Sequence, residues 1–207
     1  MWARVFAAAS HPLIAPDLRP GAAGLADTTL DDYASQVGDW VAAARRAHGR
    51  VALAGASLGG LLAAAVAGRD DPLVLINPLP PTGLPGAPAA DAVRAWGRRA
   101  SLAGTRAALP DADAFTTVDV WRRWRDESGR VLAAAHAGWP VPAPAGRCLV
   151  IASTGDEEVP SPLSAALAAA WRADLRRVPG SHVGPLLGAG AAAVAAAALA
   201  WLNEAHG

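Results

Sequence analysis

Three side chains in this sequence have the types and surroundings for nucleophilic acyl transfer: Ser57, Asp156 and His182. Ser57 is the centre of Gly55-Ala56-Ser57-Leu58-Gly59, a G-x-S-x-G pattern. A serine hydroxyl is a weak nucleophile, so it must stand where a base can take its proton. A sharp strand-to-helix turn does that, and small residues two before and two after let the neighbouring backbone pass. The same turn aims the Leu58 backbone N–H, and the positive end of the following helix, at a developing oxyanion. The pentapeptide alone is modest evidence in a chain with 21 glycines. Its context strengthens it: Val51–Ala54 is an apolar, strand-length run, and Leu58–Ala67 reads as an Ala/Leu helix stopped by Gly68.

Ser57 needs a base, and the base needs an orienting acid. Of the five histidines, His182 follows the strand-like Asp174–Val178 in a Gly-containing loop, which would bring it to the sheet end that carries Ser57. His11 precedes its strand, His48 ends a helix, His136 lies in an insert and His206 is near the end of the chain. Asp156 follows the apolar run Cys148–Ala152 and is the expected acid. Glu157 and Glu158 compete with it, and any of the three could instead cap the next helix; Asp156 is preferred because the turn ends there.

The elements that must carry these residues follow from the pattern. Trp2–Ala9 has helical spacing, and His11–Pro16 reads as a strand followed by the loop Asp17–Gly21. Thr29 precedes Leu30-Asp31-Asp32, a helix start with acids in its first turn, and Gly49 stops that helix. Leu30, Tyr33, Val37, Trp40, Val41 and Ala44 form its apolar stripe. Pro72–Asn77 and Arg147–Ala152 read as buried strands, Pro162–Arg172 as a helix, and the last residues as another. This alternation predicts an α/β fold: three layers, with a mostly parallel sheet of about five strands and helices on both faces. Residues 78–146 interrupt it. There the expectation is a helical cap insert with no clear strand and helices over Ala89–Leu109 and Asp119–Ala137; residues 1–77 and 147–207 form the core. Trp96, Trp121 and Trp124 either shape an apolar pocket or fasten the insert to the body, and Arg122, Arg123 and Arg125 read as a solvated face.

Composition bounds the partners. Basic and acidic residues balance at 18 each, so nucleic acid and acidic membrane surfaces are not expected partners. Every basic residue is Arg, which with the alanine content suggests GC-rich coding. Cys148 is alone, which excludes an intrachain disulfide and a Cys-based metal site; a buried structural thiol is expected. Leu187–Leu202 is too short and Gly-interrupted for a spanning helix, and Met1–Ser10 is a poor signal peptide, so a cytoplasmic location is expected.

On these motifs the chain resembles the α/β-hydrolase superfamily. Ile14-Ala15-Pro16-Asp17-Leu18 looks like the strand before the loop that precedes the elbow helix. Gly55–Gly60, Gly155-Asp156 and Gly180-Ser181-His182 match the triad motifs, in the order Ser, Asp, His. Some members carry the acid after the preceding strand, a place held here by Asn77 and Pro78. The resemblance covers nearly the whole chain outside the insert, which stands where the family has its cap. It implies nucleophile, acid and base roles for Ser57, Asp156 and His182, and no cofactor or metal. One departure stands out: the family's strand and His-Gly-type loop before the first helix, which supply the second oxyanion N–H, are absent. Either the Leu13–Ala15 and elbow strands pair directly, another chain fills the gap, or the protein begins upstream of Met1. An unpaired strand edge makes a homodimer an expected assembly. The second donor could come from the Asp17–Gly24 loop.

The expected function is a serine hydrolase acting on a small or medium carboxylic ester or thioester. Two alternatives follow from the same residues: a catalytically weak hydrolase-fold protein that binds a small molecule or partner, and an enzyme that turns the triad to carbon–carbon bond cleavage.

Overall fold

The computed structural model describes residues 1–86 and 91–204. Its centre is a parallel sheet of β1 (Leu53–Ala56), β2 (Leu73–Ile76), β5 (Cys148–Ser153) and β6 (Asp174–Val178), in the order β1-β2-β5-β6. The register pairs Ala56 with Ile76, Ile76 with Ile151, and Ser153 with Val178. All four strands therefore end along one edge.

Buried strand residues alternate between two cores. Val74, Ile76, Leu149 and Ile151 face α1 (Trp2–Ala8) and α9 (Ala191–Asn203), meeting Trp2, Phe6, Ala195, Ala198 and Leu199. Leu73, Leu75, Cys148 and Val150 face α3 (Leu58–Val66) and α7 (Ser161–Trp171), meeting Ala63, Ala64 and Ala168. Apolar residues on both faces are what a parallel strand covered by helices requires, and burying each Leu, Ile or Val contributes about 1.5–3 kcal/mol. The long helix α2 (Leu30–His48) packs outside α3. Its start is a capping box: the Thr29 hydroxyl accepts the Asp32 N–H, and the Asp32 carboxylate accepts the Thr29 N–H at 2.8 Å.

The expected strand at His11–Pro16 is not in the sheet. Residues 11–16 are irregular and exposed, with Leu13 at 36% and Ile14 at 60% of full exposure. A strand needs ladder partners, and the outer edge of β1 has none among the described residues. Among the described residues the main sheet thus has four strands where about five were expected.

The insert also differs from expectation. It holds a two-residue antiparallel ribbon, β3 (Val93–Arg94) with β4 (Glu127–Ser128), and three helices among the described residues: α4 (Leu102–Ala108), α5 (Ala114–Arg123) and α6 (Gly129–Ala137). Ala89 and Ala90, at the start of the first expected helix, lie outside the described residues. The rest of that segment begins its helix only after Ser101, whose hydroxyl accepts the Gly104 N–H. The second expected helix breaks at Trp124, which leaves helical geometry at φ −54°, ψ 135°, and restarts behind Ser128, whose hydroxyl accepts the Val131 N–H. Two serine caps and one ribbon outweigh the helical propensity of the intervening residues. Val131 and Ala135 of α6 share a core with Leu30, Tyr33, Leu61 and Leu62, so the insert is anchored on α2 and α3. Between α7 and α9, α8 (Gly184–Leu187) follows the His182 loop. Among the described residues no helix is long and apolar enough to cross a membrane.

Candidate active site

Ser57 joins β1 to α3 with φ 50° and ψ −122°. Positive φ at a non-glycine residue stores on the order of 1–3 kcal/mol, which the surroundings must offset. They do so through backbone bonds. Ser57 N–H donates to the Ile76 carbonyl at 3.0 Å, and the Ser57 carbonyl accepts from Gly60 at 3.0 Å and Leu79 at 3.2 Å. Gly55 permits the turn: a Cβ there would run into the Gly59 carbonyl, 2.5 Å from its carbon and 2.7 Å from Gly60 N. Leu58 N–H belongs to the first turn of α3, where backbone donors lack a helical partner.

Asp156 and His182 meet at the same sheet edge. His182 Nδ1 lies 2.7 Å from Asp156 Oδ2, and the Asp156 side chain is fully buried. Its other oxygen, Oδ1, accepts the N–H groups of Glu158 (2.9 Å) and Val159 (2.8 Å), which fixes the carboxylate plane. Of the three adjacent acids, Asp156 is the one bonded to Nδ1; Glu157 and Glu158 are exposed. Glu158 Oε2 lies 3.8 Å from His182 Nε2. Burial is the largest influence on His182 and disfavours its charged form. The Asp156 hydrogen bond and the charges of Glu158 and Asp156 together outweigh it, so its pKa is raised above the ordinary imidazole value.

Ser57 and His182 are tied to one dipeptide. Ile76 holds the Ser57 N–H, and the next residue, Asn77, donates from Nδ2 to the His182 carbonyl at 2.6 Å. Among the described residues no hydrogen bond joins Ser57 Oγ to His182. In ligand-free enzymes this contact is often long and tightens on substrate binding. His11 bonds locally to the Ala9 carbonyl, the Nδ1 of His136 is buried without a partner, and His206 lies outside the described residues.

Two further residues hold this edge. Asn77 is buried with φ 44°; Nδ2 also donates to Ser153 Oγ at 2.9 Å, and Oδ1 accepts the Ser153 N–H at 2.7 Å. Its place directly after a strand, and the tolerance of Asn for left-handed backbone, were the available signals. Asp111, from the loop between α4 and α5, accepts the Ser181 N–H; no local pattern announces a contact seventy residues away.

The Asp17–Gly24 loop spends several donors elsewhere. Arg19 N–H donates to Gln36, Gly21 N–H to Thr28 Oγ1 and Gly24 N–H to the Gly21 carbonyl, so these three are not free for an oxyanion. A depression of about 830 Å³ opens beside this loop, lined by Pro16, Arg19, Gln36 and Trp40; it includes none of Ser57, Asp156 and His182. No group of three or more potential metal ligands occurs among the described residues.

Residues 1–197 match the model of the alpha/beta hydrolase family. The chain belongs to that family. No curated protein matches it. Solved structures of this α/β-hydrolase fold superpose over almost the whole chain. A pyrethroid hydrolase from Sphingobium faniae JZ-2 is 20% identical with a TM-score of 0.66, covering 98% of this chain and 90% of that one. A metagenome-derived lipolytic enzyme, from a study of LipS and LipT, is 19% identical with a TM-score of 0.66, covering 98% and 86%. The tomato methylketone synthase I H243A variant, complexed with beta-ketoheptanoate, is 13% identical with a TM-score of 0.66, covering 98% and 91%. At these identities the likeness establishes the hydrolase fold.

Proposed function

We propose that the chain is a serine hydrolase that cleaves a small or medium carboxylic ester or thioester through an acyl-enzyme on Ser57. The observation that carries this reading is the buried Asp156–His182 pair, 2.7 Å apart, on the sheet edge that also presents the strained Ser57. His182 Nε2 takes the Ser57 proton as Oγ attacks the acyl carbon. The carbonyl oxygen becomes an oxyanion facing the Leu58 N–H. The intermediate collapses, and the imidazolium proton passes to the departing alkoxide or thiolate. Water then gives a proton to His182 and attacks the acyl-enzyme; Ser57 leaves with that proton, and the acid is released. Asp156 holds Nδ1 protonated, so that Nε2 is the accepting nitrogen, and stabilises the imidazolium. The cycle as written needs no cofactor. That proteins of this fold include a pyrethroid hydrolase and lipolytic enzymes supports an ester as substrate.

The test is labelling by a fluorophosphonate probe in wild type and Ser57→Ala. Labelling of wild type and its loss in the variant are expected. Folded wild type that takes no label overturns the reading. It would favour the alternative, a hydrolase-fold protein that binds a small molecule or partner with little turnover. The occupied N–H groups of Arg19, Gly21 and Gly24 motivate that alternative, because a single oxyanion donor stabilises the intermediate less.

A further inference from the structure

The loop that carries His182 is held from three sides. Asn77 binds its main-chain carbonyl from the sheet, and Asp156 binds Nδ1 from the loop after β5. The third hold comes from the insert. Asp111 Oδ2 accepts the N–H of Ser181, the residue immediately before His182. The Asp111 main-chain carbonyl accepts the Ala189 N–H at 3.1 Å, on the far side of α8.

The fit around Asp111 is close. A Cβ on Gly180 would lie 3.0 Å, and one on Gly184 2.5 Å, from Asp111 Oδ2; one on Gly188 would lie 2.9 Å from Asp111 Cβ. Three glycines flanking His182 thus leave room that the Asp111 side chain fills. The turn bearing Asp111 is itself fixed, because Leu109 is 3% exposed and its carbonyl accepts the Ala112 N–H at 3.2 Å.

We infer that Asp111 is a positioning residue for His182. It sets the backbone on both sides of the imidazole, so the insert, and not the sheet alone, decides the direction in which Nε2 faces Ser57. The inference rests on the reading of His182 as the base for Ser57. Misplacing a reacting group by about 1 Å can lower turnover by ~10²-fold, while binding of the substrate is little affected.

The experiment compares Asp111→Ala, Asp111→Asn and wild type in two readouts. The first is steady-state hydrolysis of a p-nitrophenyl ester. The second is the low-field proton resonance of His182 Nδ1–H in free enzyme. Asp111→Ala is expected to lower kcat by ~10–10²-fold with KM nearly unchanged and to broaden or shift the Nδ1–H resonance. Asp111→Asn keeps an acceptor for Ser181 N–H and should recover kcat to within about threefold of wild type. A loss of packing alone would lower the melting temperature and leave kcat and the resonance as they are. If Asp111→Ala does not fold, Asp111→Ser, whose hydroxyl is too short to reach the same N–H, takes its place. Wild-type kcat and an unmoved resonance in the folded variant overturn the inference. Hydrolysis that persists in Ser57→Ala would instead refute the nucleophile reading, and the resonance would still report on Asp111.

Discussion

Replacing Asp156 by asparagine isolates what its charge does, because the shapes are nearly the same. In the native site Oδ1 accepts two backbone N–H groups, from Glu158 and Val159, and Oδ2 faces His182 Nδ1 at 2.7 Å. An asparagine must keep its carbonyl oxygen on the two N–H groups, since turning its NH2 toward them would set donors against donors. Its NH2 then faces Nδ1. The imidazole can accept that bond only by carrying its proton on Nε2, where it can no longer take the proton of Ser57. The imidazolium also loses its counter-charge. Together these effects predict a fall in kcat of ~10⁴-fold, about 5 kcal/mol of transition-state stabilisation. Stability should change much less. Each of the three charge-assisted bonds becomes a neutral one, a loss of about 1 kcal/mol apiece, partly offset because no charge is buried. The pH profile adds a second check. With His182 as the proposed base, catalysis requires it neutral, so wild-type kcat/KM should rise through a pKa above the ordinary imidazole value. In Asp156→Asn the largest raising influence is gone while burial remains, so the acid limb should move to lower pH on a lower plateau. The assay is ester hydrolysis from pH 5 to 9 beside a thermal melt. Activity within tenfold of wild type at every pH, or an acid limb displaced upward, would refute this account of the site.

Other outcomes test the scaffold. Gly55→Ala should cost ~3 kcal/mol or more in chemical denaturation, because the new methyl meets the Gly59 carbonyl and Gly60 N; Gly59→Ala, with open space around it, should gain about 0.5–1 kcal/mol. Asn77→Ala strands the buried Ser153 N–H and frees the His182 carbonyl. It should lower stability by about 1–3 kcal/mol and, unlike a distant core change, also depress kcat. Burial, with the nearby charge of Asp174, pushes the Cys148 thiol up to about 12. Native protein should therefore resist a thiol reagent at pH 8 that modifies the unfolded chain fully, and fast modification of native protein would contradict the buried position.

Much of the frame was legible because its signals are local. Thr29 with Asp32 at the start, and Gly49 at the end of its 19 residues, bracket α2 by bonds that span no more than four residues. Leu73–Ile76 and Cys148–Ser153 are apolar runs too short for helices, and both are strands. The elbow could be read because its spacing is itself the steric requirement: Gly55 must clear Gly59, four residues later. The insert is less legible. Its propensities favour helix, but Ser101 and Ser128 start helices where a propensity sum sees nothing, and β3 and β4 are defined only by finding each other.

The sequence by itself thus determined the alternation of strands and helices, the serine elbow, and the order in which serine, acid and histidine follow the strands. Tertiary structure alone decided which of Asp156, Glu157 and Glu158 reaches His182, that Asn77 and Asp111 hold its loop, and that residues 11–16 stay outside the sheet. The physical reason is range. Turn geometry and hydrophobic periodicity act over a few residues, whereas the bonds that hold the His182 loop span 26 residues from His182 to Asp156, 70 from Ser181 to Asp111 and 105 from His182 to Asn77. Such bonds exist only once packing has brought separate loops to one edge of the sheet.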